Sequence, residues 1–402
     1  MHAFRAGLRG TVAENRWKIH KFGGSSLADA ACFRRVAGII LDMPESRVGV
    51  VVSAMGGMTD ALIHLAVLAE RDDESYAAEL DKVGDRYAAC AKDLLQGDHL
   101  VPVLDAWSKD AEDVRDVLKA IALVKSAPQR SRDVVAGYGE IWSARLLAAY
   151  LGQEAPERGG TWVDAREVVT VHETELGPTV LWDASQTKFE SALPADFSGI
   201  AVITGFIATD QDGLPTTLGR NGSDYSAAIF AALSDASALS IWTDVDGVMS
   251  ADPNRVPEAQ VIDQLTYNEA MELAYFGAKV IHPQTLSPVI KKNIPLWIRN
   301  SHNPEHPGSR IAADAARIDN IKGITAIGGM ALVNLEGSGM IGVPGTADRL
   351  FGALKNAGVS VTLISQASSE HSICIAVPND VAERARTVVS EAFAEELESG
   401  QI

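Results

Sequence analysis

The sequence predicts an α/β chain: a mostly parallel central sheet with helices on both faces, followed by a smaller α+β module. Three observations predict it. Strand-like runs (Val48 to Val52, Ala238 to Thr243) alternate with helix-like ones (Thr59 to Leu68, Asn268 to Phe276), as in sheets whose strands are joined by helical crossovers. Glycine-rich turns stand between strand and helix, beginning with Lys21-Phe22-Gly23-Gly24-Ser25-Ser26. From Ile324 onward the order becomes strand, helix, strand, strand, helix, which marks a second unit.

At 402 residues the chain exceeds the usual single-domain size, so two domains are expected. With 47% hydrophobic and 22% charged residues and a mean hydropathy near zero, it has the composition of a soluble globular protein. A formal charge of −18 argues against a nucleic-acid surface, which needs a basic stripe. A polyanionic ligand must then be met by local lysines and backbone amides. No run of about 18 apolar residues is present, so no membrane partner is expected. Residues 1–16 carry Arg5, Arg9 and Arg16 without a continuous apolar stretch, and read as a flexible extension rather than a secretory signal. Cys32, Cys90 and Cys374 form no C-x-x-C pair, which reads as reduced thiols in a cytoplasmic protein, with neither zinc nor disulfides.

The elements follow in order. After Lys21, two glycines let the backbone approach an anion closely, and Leu27-Ala28-Asp29-Ala30 reads as a helix start. A lysine, two hydroxyls and that helix terminus together outline a phosphate cradle, although the same turn also serves as an ordinary packing device. Ser75 to Leu95 and Ala106 to Val124 are long amphipathic helices, expected as an insertion that covers the sheet or closes over a ligand. Glu140 opens a further helical run to Tyr150. The polar break Asn300-Ser301-His302-Asn303-Pro304-Glu305-His306-Pro307-Gly308 ends the last strand of the first domain. The domains are thus 17–318 and 319–402. In the second, strands are expected at Met330 to Leu335, Val359 to Ile364 and Ser372 to Val377, with helices at Ala347 to Ala357 and Asp380 to Leu397.

Three further motifs lie beside strand ends or helix starts: Leu218-Gly219-Arg220-Asn221-Gly222-Ser223-Asp224, Trp242-Thr243-Asp244-Val245-Asp246-Gly247-Val248, and Phe276-Gly277-Ala278-Lys279-Val280-Ile281-His282-Pro283. Together with the Lys21 turn, this set closely resembles the aspartate kinases of the amino-acid kinase superfamily. Asn221-Gly222-Ser223-Asp224-Tyr225-Ser226-Ala227-Ala228 is most similar to the kinase part of the bifunctional aspartokinase/homoserine dehydrogenases. The resemblance runs from about Trp17 to the C-terminus. The βαββα order of the second domain resembles the ACT (ferredoxin-like) regulatory module, of which such enzymes usually carry two; a second ACT module and a homoserine dehydrogenase part are not in this sequence. That implies a shortened natural form, a cut-down piece, or a module whose sheet a partner chain completes, and a homodimer or larger homo-oligomer is expected.

What the resemblance implies for the site is specific. Lys21 and Asp224 are the catalytic pair, the lysine stabilising the transferred phosphoryl group and the aspartate orienting it; an N-cap role could by itself explain Asp224. Arg220 takes an aspartate carboxylate, for which its planar fork is suited, Glu140 meets the α-ammonium, and Ser53, Thr59 and Ser223 add hydroxyl bonds. Gly23, Gly24, Ser25, Thr243, Asp244, Met249, Asp252, Arg255 and Lys279 face the nucleotide. Met249 stands where tyrosine is often found and Asn254 where arginine is frequent, although Arg255 is next; Met249 can still pack on an adenine ring, while one phosphate contact is put in doubt. The cofactors implied are ATP and Mg²⁺, with no dedicated metal site in the protein, and His282 reads as a packed helix-start histidine. The absence of G-x-x-x-x-G-K-[ST] excludes a P-loop ATPase. Gly339 and Met340, with Gln366, Ser368 and Ser369, lie on loops resembling those where ACT modules hold an effector, lysine or threonine.

The implied activity is ATP:L-aspartate 4-phosphotransfer, the first committed step toward lysine, threonine and methionine. Two alternatives stand beside it: a kinase of a related carboxylate such as glutamate, and a catalytically weak regulatory subunit that binds an amino acid through its second domain.

Overall fold

The computed structural model describes residues 16–174, 177–275, 281–316, 321–366 and 371–402, apart from the side chain of Gln284. The chain divides into two compact units between Thr325 and Ala326.

The first unit is built on an eight-stranded sheet. Its strands are β1 (Lys18–Phe22), β2 (Arg47–Val52), β3 (Thr161–Val163), β6 (Gly199–Thr204), β9 (Ala238–Thr243), β10 (Gln264–Leu265), β11 (Leu296–Asn300) and β12 (Ser309–Ile311). They run in the order β10-β12-β11-β9-β1-β2-β6-β3, and every pair is parallel except β11 with β12. Parallel strands are covered on both faces and read as apolar runs, and β2 and β6 obey this, buried after their first residue. Central β1 does not: His20 and Lys21 are buried within Lys-Ile-His-Lys-Phe. Such a violation of pattern in the middle of a core sets β1 apart from its neighbours.

A second sheet, β5-β4-β7-β8, is formed by β4 (Thr170–Thr174), β5 (Gly177–Val180), β7 (Ile207–Asp210) and β8 (Pro215–Thr217). It lies in a stretch of short strands whose polar alternation gave no clear sequence signal.

The helices of this unit are α1 (Ala30–Leu41), α2 (Met58–Glu70), α3 (Ser75–Leu94), α4 (Leu100–Val124), α5 (Gln129–Glu154), α6 (Trp182–Ala192), α7 (Gly222–Leu233), α8 (Tyr267–Tyr275) and α9 (Pro283–Lys292). The expected two-helix insertion is a packed group of four, α2 to α5, each touching its neighbours. The full length of α5 was hidden because its middle is buried almost all round, from Val135 to Leu151, leaving no amphipathic stripe. The helix expected at Leu27 begins instead at Ala30: the side chain of Asp29 accepts from the Cys32 amide, and Gly24–Leu27 forms one 3₁₀ turn. The element that follows the Lys21 turn directly is therefore this 3₁₀ turn and not the α1 terminus.

The second unit contains β13 (Met330–Glu336), β14 (Leu363–Gln366) and β15 (Ser372–Pro378) in the antiparallel order β13-β15-β14, with α10 (Thr346–Asn356), α11 (Ala382–Ala392) and α12 (Ala394–Glu398). Its own core gathers Leu335, Leu350, Ile375, Val377, Val389 and Phe393. Two elements differ from expectation. The second strand starts at Leu363 because Val359 is still tied to the end of α10, its amide donating to the Leu354 carbonyl. The last helix breaks at Phe393, whose ring is buried while Arg349 stacks on it.

Candidate active site

Four parallel strands end together. Lys21 and Phe22 close β1, Ser53 follows β2, Gly205 follows β6 and Thr243 closes β9. In parallel sheets, ligands collect at these carboxyl ends because the chain there leaves the sheet on divergent paths. The register puts Phe22 beside Val52 and Trp242, so the three following turns start level with one another.

The centre is the ammonium of Lys21, 2.6 Å from Oδ1 of Asp224. Asp224 sits in the first turn of α7, whose N-cap is Asn221 in the left-handed region (φ 54°). Its carboxylate thus turns to the lysine while remaining in the favourable field of the helix terminus. Next to this pair, the Ser53 and Ser223 hydroxyls lie 2.7 Å apart, and Ser143 of α5 donates to the carbonyls of Ser53 and Glu140. A Cβ on Gly205 would stand 2.8 Å from that of Ser223, so the β6 end can approach α7 only as glycine.

Two loops touch backbone to backbone here. A Cβ at Gly24 would meet the Ala54 carbonyl at 3.0 Å, and one at Gly56 would meet the Gly24 carbonyl at 3.1 Å. Arg86 of α3 fastens them, donating to the carbonyls of Ala28 (3.0 Å) and Gly56 (2.6 Å). A Cβ at Gly23 would stand 3.5 Å from the Lys21 nitrogen, so the glycine keeps the space beside the ammonium open.

Glu140, on α5, is 4% exposed, and its Oε2 has no hydrogen-bond partner among the described residues. Burial pushes its pKa up to about 8, against the pull of its own amide, the Ala54 amide, the Thr59 hydroxyl and the Lys21 charge. Beneath the site, His20 is held neutral, its pKa pushed down to about 3, first by burial and then by Lys18 and Arg299. Trp242 donates its indole N–H to His20 Nδ1 (3.2 Å), which leaves the proton on Nε2.

On the β9 side, Thr243 donates to Asp244 (3.1 Å). The segment read as a mere break, Asn300 to Gly308, is woven into this side. Asn300 and Asn303 both donate to Asp246 Oδ1 (2.8 and 3.2 Å), and Ser301 gives its amide and hydroxyl to the Thr243 carbonyl. Ser301 also meets Ser26 of the Lys21 turn, hydroxyl to hydroxyl, at 2.8 Å, with both residues fully buried. Asn300, Ser301, Asn303 and Arg86 were not expected here, and Ser26 was expected as a cradle hydroxyl rather than as the partner of Ser301; for the asparagines and Ser301 the signal was a density of short polar residues, which surface turns share.

The other expected site residues fall into three groups. Arg220 and Asp244 are exposed on the turns just described, and Ser25 lies in the 3₁₀ turn. Met249, Asp252 and Arg255 stand on the excursion between β9 and β10, with local contacts: Met249 bridges Val261, while Asp252 accepts from Asn254 (2.9 Å) and pairs with Arg255 (3.9 Å). Lys279, Ser368 and Ser369 lie outside the described residues. His282 accepts the Thr285 amide through its carbonyl at the head of α9. No group of three or more His, Cys, Asp or Glu side chains with metal-binding geometry occurs among the described residues, and no described helix is long and apolar enough to cross a membrane.

In the second unit, Gly339 lies in a 3₁₀ turn whose amide donates to the Gln401 carbonyl (3.0 Å). Buried Met340 and exposed Gln366 share the wall of a cavity of about 320 Å³ with Pro344, Thr346 and Ile373.

Both parts of the chain are similar to known proteins. Residues 16–300 match the profile of the amino acid kinase family, and residues 333–393 match an ACT domain. The chain is 42% identical over 398 residues to bifunctional aspartokinase/homoserine dehydrogenase 1, chloroplastic, of Zea mays, covering 96% of this chain and 42% of that protein. It is 36% identical over 393 residues to the bifunctional aspartokinase/homoserine dehydrogenase of Haemophilus influenzae, covering 96% and 47%. The chain therefore spans less than half the length of these relatives. Among solved structures, E. coli aspartokinase III in complex with lysine and aspartate superposes with a TM-score of 0.74 at 27% identity, covering 93% of this chain and 83% of that one.

Proposed function

The chain belongs to the amino acid kinase family, and from that premise we propose that it is an aspartate kinase, moving the γ-phosphoryl group of ATP onto the side-chain carboxylate of L-aspartate to give 4-phospho-L-aspartate. The observation that carries this reading is the Lys21–Asp224 pair at an open glycine turn, with a buried, half-satisfied carboxyl, Glu140, set beside it. A cation beside a glycine turn and an anion for an ammonium are what a nucleotide tail and an amino acid need at once. The relatives named above and the aspartate in the E. coli aspartokinase III complex support the choice of acceptor.

The acceptor carboxylate is ionised at neutral pH, so no general base is required. Its oxygen forms the new bond to phosphorus as the bond to the bridging oxygen of ADP breaks, and catalysis is positioning and charge neutralisation. Lys21 stabilises the charge spread over the transferred group, and Asp224 holds that ammonium in place. Gly23, Gly24 and Ser25 border the phosphates; Thr243 and Asp244 face the nucleoside, with Met249, Asp252, Arg255 and Lys279 assigned to it by motif. Arg220 receives an acceptor carboxylate, Glu140 the α-ammonium, and Ser53, Thr59 and Ser223 complete the pocket. Mg²⁺, when bound with ATP, neutralises phosphate charge; the fit is through phosphate oxygens and water rather than a protein cage, with Asp224 the carboxylate at hand.

The second unit is proposed to take an amino-acid effector, lysine or threonine, in the cavity at Met340 and Gln366; lysine in the E. coli complex supports this. The exposed edge strand β14 supports self-association, as a homodimer or larger assembly. The proposed location is cytoplasmic, and the proposed catalytic and regulatory domains are 17–318 and 319–402.

The test is ATP-dependent hydroxamate formation with aspartate, with glutamate and with neither. Turnover is expected with aspartate only. Equal turnover of glutamate would overturn the choice of acceptor, and unimpaired amino-acid binding without any turnover would favour a regulatory subunit.

A further inference from the structure

The acceptor pocket contains a charge problem that the binding roles alone do not resolve. Glu140 is buried at 4% exposure, Oε2 lacks a hydrogen-bond partner, and the cation that could compensate it, Lys21, is engaged by Asp224 at 2.6 Å. An anion in such a place is costly unless paired. The groups facing it from neighbouring elements supply little relief. From β1 comes Lys21, already paired with Asp224 of α7; from the turn after β2, the Ala54 amide; from α2, the Thr59 hydroxyl, while Asp60 beside it is exposed.

We propose that Glu140 carries a proton in the acceptor-free site and releases it when an α-ammonium docks, so that binding an amino-acid acceptor is coupled to loss of one proton to solvent. The inference rests on the reading of Glu140 as the ammonium's partner. The carboxyl O–H bond breaks, its electron pair stays on the carboxylate, the proton goes to bulk buffer, and the new anion is paired with the incoming cation. The raised pKa of about 8 agrees with a neutral carboxyl at pH 7. The arrangement also selects the acceptor. A dicarboxylate lacking the ammonium gives Glu140 nothing to ionise against, and so cannot collect the pairing energy.

Calorimetric titration of L-aspartate into the protein, in phosphate and in Tris at pH 7, reads the proton directly from the difference in observed heat. Release of most of a proton is expected at pH 7, diminishing as the pH is raised above 8. Affinity for aspartate should tighten about tenfold per pH unit below pH 8 and level off above it. In Glu140→Gln, checked for native circular dichroism, proton release and this pH dependence should vanish. Aspartate binding at pH 7 without proton release would overturn the inference and leave the acceptor reading standing, as would release that persists in Glu140→Gln. Failure of aspartate to bind at all would overturn both.

Discussion

The ammonium of Lys21 and Oδ1 of Asp224 lie 2.6 Å apart, with the two side chains only 10% and 14% exposed. One comes from the central strand of the sheet and the other from the first turn of a helix far along the chain. Removing either leaves the other charged and largely out of water, so stability and activity respond differently to the two changes.

Lys21→Met is expected to lower phosphoryl transfer by two or more orders of magnitude, and to destabilise the fold by about 3 kcal/mol because Asp224 loses its counter-charge. Lys21→Met combined with Asp224→Asn should recover most of that stability and none of the activity. Denaturant melts and initial rates measure both. A double variant no more stable than Lys21→Met would show that the pair is not what holds these side chains.

The Ser26–Ser301 contact and the two amides on Asp246 join the Lys21 turn to the β9 loop. Ser301→Ala should raise KM for ATP about fivefold, the value of one buried hydrogen bond near 1 kcal/mol, and leave KM for aspartate unchanged. Ser301→Thr, which keeps the hydroxyl, should recover part of the loss. Steady-state kinetics with each substrate varied in turn decides it, and an equal rise in both KM values would refute the assignment to the nucleotide side.

His20 provides a pH test. Its folded pKa, about 3, is below the ordinary 6.5, so the stability that comes from burying the neutral ring is complete above about pH 6.5 and is lost as pH falls toward 3. His20→Gln, whose amide oxygen can accept the Trp242 N–H without ever taking a charge, should be less stable than the parent at pH 7 but lose less on going to pH 4.5. Urea midpoints at pH 7, 5.5 and 4.5 give the slopes. Parallel slopes would place the acid sensitivity elsewhere.

Much of this molecule could be read from residue order. Apolar runs such as Val48 to Val52 and spaced apolar stripes such as that of α3 specify strand or helix within a few residues. The glycine, lysine and aspartate motifs singled out Lys21, Ser223 and Asp224, and the structure pairs Lys21 with Asp224 and sets Ser223 against Ser53. Arg86, Asn300, Ser301 and Asn303 escaped because a hydrogen bond between distant residues leaves no local periodicity, and a polar loop has the same composition whether it faces solvent or braces an active site. The buried middle of α5 and the short strands from Thr170 to Thr217 escaped because burial on all sides, or strands of three to five residues, erase the alternation that reveals an element.

The sequence by itself determined which segments become strands and helices, and which side chains could carry phosphate and ammonium chemistry, because these depend on the spacing of near neighbours along one chain. Only the tertiary structure decided that Lys21 meets Asp224, that Glu140 is buried, and that Ser301 reaches Ser26. Those outcomes depend on the parallel register of β1 with β2 and β9, which brings the strand ends level. Charge, burial and proximity become chemistry only after that alignment.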